Sequence, residues 1–177
     1  TEELGEVVNS MAPYRNKALV LGSTDSLCAI YGNLAGGGRK VTVSQFVGPI
    51  ARKAITITPD GLVLFVTRRG LYAWSIGSEK DPEPFSPFRL PAELLDIDTS
   101  TTDVLLEYDH RSKGVHLFLT PANGVGTHWW VDLENKSFWE VSLPSTMQPL
   151  STGTYKTSGD SNVILGCKDG YLRRFSN

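Results

Sequence analysis

"GLVLFVTRRGLYAWSIG" (residues 61–77) reads as two short strands folded over a tight turn. The first half is apolar and β-branched, Thr67-Arg68-Arg69-Gly70 is polar and ends on glycine, and the second half returns to large apolar side chains. That succession marks a β-hairpin. Three other stretches repeat it. "KALVLG" (17–22) runs through "STDS" into "LCAIYG", "DVLLEY" (103–108) through "DHRSKG" into "VHLFLT", and "NVILG" (162–166) through "CKDG" into "YLRRF". The first residues after the four turns, Leu27, Leu71, Val115 and Tyr171, are 44, 44 and 56 positions apart. A hairpin recurring every 40 to 50 residues or so is the spacing of propeller blades, and the longer third interval leaves room for an extended loop.

The intervening segments supply the remaining strands. "KVTVSQFVG" (40–48) and "ARKAITITPDG" (51–61) alternate before turns, and Trp129 and Val131 face "SFWEVSL" (137–143) across "DLENK". Helix is limited to a turn or so at "PAELLDID" (91–98). The expected fold is therefore all-β and β-propeller-like, with about four blade-like antiparallel sheets in a single domain over residues 1–177. It stands alone or as part of a larger ring. Blade hairpins fall near 17–31, 61–76, 103–120 and 162–175. Gly70 and Gly170 are expected to hold the tight turns with a positive φ, with Leu71 and Tyr171 opening the next strands and Leu71 pointing inward. Chain closure is expected from Val7 and Val8, which could add an edge strand to the last blade and so bring the termini together. In the alternative, further blades or a neighbouring subunit cover those edges.

Composition bounds the partners. A 40% apolar content can fill a core without disulfides or metals, and 17 basic against 19 acidic residues provide no net attraction to nucleic acid or anionic lipid. No apolar run is long enough to cross a membrane, and the polar, acidic start does not read as a secretory signal. Cys28 and Cys167 are expected to be free thiols.

The chemistry-bearing residues do not assemble into a motif. His110, His116 and His128 match no compact zinc spacing. Asp96, Asp98 and Asp103 lack the glycine and terminal glutamate of a calcium loop and read as solvated loop residues or strand caps. Gly36-Gly37-Gly38 is not followed by a Lys-Ser/Thr pair or by a helix, as a phosphate loop would be. Asp132, Glu134 and Glu140 are a nominal acid/base set, and Trp129, Trp130 and Trp139 a nominal sugar platform, with inter-sheet packing and one edge position the simpler use of the indoles. No catalytic, cofactor-binding or metal residue is assigned, and a non-enzymatic protein is expected.

The order "LVLGSTDSLCAIYGNLAGGG", "VGPIARKAITITPDGLVLFVTRRGLYAW", "YDHRSKGVHLFLTP", "THWWVDLENKSFW" and "VILGCKDGYLRRF" resembles a propeller-like family of virion proteins of tailed bacteriophages and prophages. The family's Gly-Asp-Pro loop corresponds to Gly32-Asn33-Leu34-Ala35-Gly36-Gly37, which lacks the acid and the proline. Its aromatic strand corresponds to Thr127-His128-Trp129-Trp130-Val131-Asp132. The resemblance covers residues 14 to 175 or so and implies a structural or assembly protein of a bacteriophage tail or tail-associated complex, located in the virion. Its implied partners are other virion proteins or copies of itself, met mainly through loops 32–40 and 78–90. The alternative is a cellular propeller, soluble or extracellular, that binds protein or glycan.

Overall fold

The computed structural model describes residues 7–33, 36–86 and 90–175 of the chain. It divides into two compact units, meeting in sequence between Phe85 and Ser86. Each unit holds two antiparallel sheets of the propeller-blade kind, and the fold is all-β.

In the first unit, β1 (Ser10–Tyr14), β2 (Ala18–Gly22), β3 (Leu27–Tyr31) and β4 (Arg39–Ser44) form one meander, and β5 (Ile55–Ile57), β6 (Leu62–Thr67), β7 (Gly70–Ser75) and β8 (Glu83–Pro84) form the next. Register puts Ile55, Phe65 and Tyr72 in one row and Ile57, Val63 and Trp74 in another. These rows pack with Ala12, Val20, Leu27, Ala29 and Val43 of the first meander in one apolar cluster. The Tyr14 hydroxyl and the Arg15 guanidinium both donate to the carbonyl of Pro59, at 3.2 and 2.7 Å, tying the end of β1 to the turn before β6. Pro13 and Pro84 sit on the outer strands β1 and β8, where a missing amide costs no ladder bond.

In the second unit, β9 (Thr102–Asp109), β10 (Gly114–Pro121), β11 (Thr127–Asp132) and β12 (Ser137–Val141) form a four-stranded meander; β13 (Pro149–Lys156), β14 (Ser161–Cys167) and β15 (Leu172–Arg174) form a three-stranded one. Leu105 and Phe118 of the larger sheet pack with Val163, Leu165 and Cys167 of the smaller. Each fully buried side chain of this size contributes roughly 1.5–3 kcal/mol relative to exposure. The helix expected at 91–98 is a single 3-10 turn, Ala92–Leu94, which buries Leu94.

All four sequence hairpins are present, as β2–β3, β6–β7, β9–β10 and β14–β15. Gly70 and Gly170 have φ of 108° and 83°, and Leu71 is buried. Tyr171 stays in the turn, its carbonyl accepting from the Cys167 amide, so the last strand begins one residue later at Leu172. The expected closing strand differs too. Val7 and Val8 are exposed, the Asn9 amide donates to the Gly22 carbonyl, and the chain enters β1 beside β2, completing the first sheet. Alternation of buried and exposed residues begins only at Ser10, and Ser10, Ala12 and Tyr14 give that strand an inward face that Val7-Val8 lack. Leu34, Ala35, Pro87, Phe88 and Arg89, which belong to the two long loops expected to meet partners, lie outside the described residues.

Two glycines separate two kinds of constraint. A Cβ on Gly48 would run into the backbone of Ser23 and Ser26, whereas Gly77 has open space around it and only a φ of 89° to defend. Gly48→Ala is expected to cost about 2–3 kcal/mol through overpacking against backbone that cannot yield, and Gly77→Ala only about 1 kcal/mol of left-handed strain. Urea unfolding midpoints of the two variants check the order.

Candidate functional site

The most unusual chemistry in the molecule is a buried polar chain in the second unit. His116 lies mid-way along β10, opposite Glu107 of β9 and Trp130 of β11. His128 of β11 pairs with Phe118, and directly paired residues share a face, so both imidazoles join Phe118 and Leu105 on the surface packed against β14. His116 Nδ1 is 2.9 Å from His128 Nε2, and both residues are 1% exposed. Aromatic rings enclose them: Phe118 stacks on His128 at 4.3 Å, and Phe175 stands 4.3 Å from His116 and 5.4 Å from His128.

Asp109 ends the chain of groups. Its Oδ2 is 3.6 Å from His116 Nε2, too long for a hydrogen bond, so what it offers the imidazole is charge. Oδ1 accepts the Arg111 amide at 2.8 Å and thereby shapes the β9–β10 turn. Burial pushes the Asp109 carboxyl up, but the Arg111 amide, the hydroxyl and amide of Ser112 and the neighbouring His116 together hold it below the usual carboxylate range. With a carboxylate on its Nε2 side, neutral His116 is best protonated at Nε2. Nδ1 is then the acceptor and His128 Nε2–H the donor.

Burial pulls His116 down to about 4, outweighing the attraction of Asp109. Burial and the adjacent His116 bring His128 down to about 3. Both are therefore neutral at pH 7. Glu107, on the same face, accepts the Thr154 hydroxyl at 2.6 Å, a polar link to the smaller sheet. The histidine pair itself lies within the larger sheet, a polar clasp between β10 and β11 that Phe175 covers.

The other sequence candidates are dispersed. Asp98 accepts the amide and hydroxyl of Ser100 and the hydroxyl of Thr101, capping an exposed turn. Asp132 accepts the amides of Glu134 and Asn135 and the Asn135 side chain, shaping the β11–β12 turn, while Glu140 stands opposite Trp129 on the other face of the hairpin. These carboxylates do not converge. Trp139 is exposed on the outer strand β12 and pairs with Trp130, whose ring covers Gly114; Trp129 faces the opposite side. Among the described residues, no three His, Cys, Asp or Glu side chains group as metal ligands, and no helix is long and apolar enough to cross a membrane. Both cysteines are free, and burial raises the Cys28 thiol despite nearby Lys40.

Two cavities among the described residues are large and open to solvent. One of about 400 Å³ in the first unit is lined by Val8, Leu21, Cys28, Lys40 and Phe46 among others. Another of about 450 Å³ in the second lies between His110-Arg111 and the 156–161 turn. No protein-family model matches the chain, and no curated protein is significantly similar to it.

The clasp is not legible in the sequence, because it depends on the register of β9, β10 and β11 and on cover from a second sheet. It should be visible as pH-dependent stability. A histidine whose folded pKa is depressed favours unfolding as soon as the unfolded chain gains protons that the folded chain refuses. Stability is thus expected to be level above pH 6.5 or so and to fall from there toward pH 4, by ~1.4 kcal/mol per pH unit for each imidazole. Urea midpoints measured across this window should show that slope, and His116→Gln/His128→Gln should flatten it.

Proposed function

We propose that this chain is a non-catalytic binding and scaffolding module that recognises partners through its sheet edges and loops. One observation carries the reading. Among the described residues, each large apolar side chain that is both exposed and within a strand lies on an outer strand: Met11 on β1, Trp139 on β12, Leu150 and Tyr155 on β13, and Leu172 on β15. Outer strands also present unpaired amides and carbonyls, so apolar contact and backbone pairing are available together. Phe46, Leu95 and Val125 are further exposed apolar residues, in loops. In each unit two blade-like sheets present such edges.

The finer reading is assembly of a phage tail or tail-associated complex, which rests on the resemblance of the hairpin order to the virion family. The cellular module that binds protein or glycan draws on the same edges and needs no family membership. It is the reading that the geometry supports best.

Photo-reactive residues placed at Met11, Trp139 and Leu172 of the full chain, expressed in its source cells, test both. One recurring cross-linked protein is expected. Its co-sedimentation with phage particles would establish the virion reading, and a recurring partner absent from particles would overturn that reading and leave the cellular module. No cross-link from any of the three positions, or turnover of a substrate in a cleft with an aligned nucleophile, would overturn the module itself. Met11→Glu and Leu172→Glu should change stability by no more than about 0.5 kcal/mol, as surface substitutions do, while abolishing the cross-links.

A further inference from the structure

The open cavity of the second unit has a chemistry distinct from the apolar edges. It is lined by His110 and Arg111 from the β9–β10 turn and by Lys156, Thr157, Gly159, Asp160 and Ser161 from the β13–β14 turn. Arg111 and Lys156 are exposed, and neither has a carboxylate within ion-pairing distance among the described residues. Asp160 is committed to its own turn, accepting the Ser161 amide at 2.9 Å and the Asn162 side chain at 2.9 Å, and it retains lone pairs toward solvent. The Ser161 hydroxyl is buried without a protein partner, and Ser161 and Arg111 also line a smaller pocket that leads to Asp109 and Phe175.

The groove therefore offers two cations without a salt-bridge partner and one carboxylate acceptor within a volume of about 450 Å³. A compact polyanion such as phosphate would be drawn to the cations but would confront Asp160. A ligand that carries a single carboxylate among neutral hydroxyls satisfies both: its charge meets Arg111 and Lys156, and its hydroxyls donate to Asp160. His110, held edge-on by Tyr108 at 4.9 Å, adds a ring at the rim. We propose that this groove binds an acidic saccharide, with Arg111 and Lys156 on the carboxylate and Asp160 on the hydroxyls. The inference rests on the binding-module reading and names one ligand class for it.

Maltobiouronic acid, a disaccharide with one carboxylate, is the probe, titrated into the full chain and followed by amide NMR. The amides of Thr157, Gly159 and Ser161 are expected to shift saturably and to lose that response as salt is raised. Arg111→Gln/Lys156→Gln should weaken binding at least about tenfold, with the Asp109 turn preserved because it uses the Arg111 backbone amide. Lys136→Gln, in the β11–β12 turn, should bind as the parent does. Absence of saturable shifts would overturn the proposal. So would equal binding of neutral maltobiose, or inorganic phosphate shifting the same amides as strongly, which would mark a bare anion site. None of these failures touches the cross-linking result at Met11, Trp139 and Leu172, which do not line the groove.

Discussion

Strand β10 is buried on both faces: every residue from Gly114 through Thr120 is buried. One row, Val115, Leu117 and Leu119, is apolar throughout, but the other contains His116 and Thr120 beside Phe118. An imidazole in that position cannot keep a proton at neutral pH, because desolvation of the cation outweighs a carboxylate 3.6 Å away. It must be neutral and find a partner of its own kind. His128, one strand over and on the same face, is that partner.

The same constraint explains why the turns at one end of this unit are so polar. Asp109 closes the β9–β10 turn through the Arg111 amide while facing His116, so the geometry of the turn and the burial of the imidazole are held by a single carboxylate. Ser161 and Asn162 approach from the neighbouring sheet, and Phe175 covers the two rings. An exposed groove and a buried clasp thus share Arg111 and Ser161 at their boundary.

Hairpins were legible in the sequence because turn chemistry is local. Thr67, Gly70, Asp109, Asp169 and Gly170 act within a few residues of themselves: Thr67 Oγ1 donates to the Gly70 carbonyl, and Asp169 accepts the Tyr171 amide. The all-β class followed from four such signals in series. Asp98, expected in a solvated loop or as a strand cap, caps an exposed turn, and Asp132, placed by sequence in a nominal acid/base set, shapes the β11–β12 turn instead. The closing strand was misplaced because pairing partners are chosen by which face a strand can bury, and Val7-Val8 is too short to show an alternation. His116 and His128 were counted as two of three histidines with no zinc spacing, a test of sequence separation that says nothing of residues twelve apart brought face to face by register.

Fold and recognition part company at the outer strands. A strand inside a blade must satisfy its ladder and bury two faces, which leaves it no freedom to choose a partner outside the sheet. An outer strand carries half that obligation. Met11, Trp139, Tyr155 and Leu172 lie where the demands of the core end, and their exposure is not needed to stabilise the sheet on which they sit. Retaining large apolar groups there costs solubility, and the sheets gain nothing from it. On the binding-module reading proposed above, contact with a partner offsets that cost, and that reading places recognition at the edges more than in the cavities.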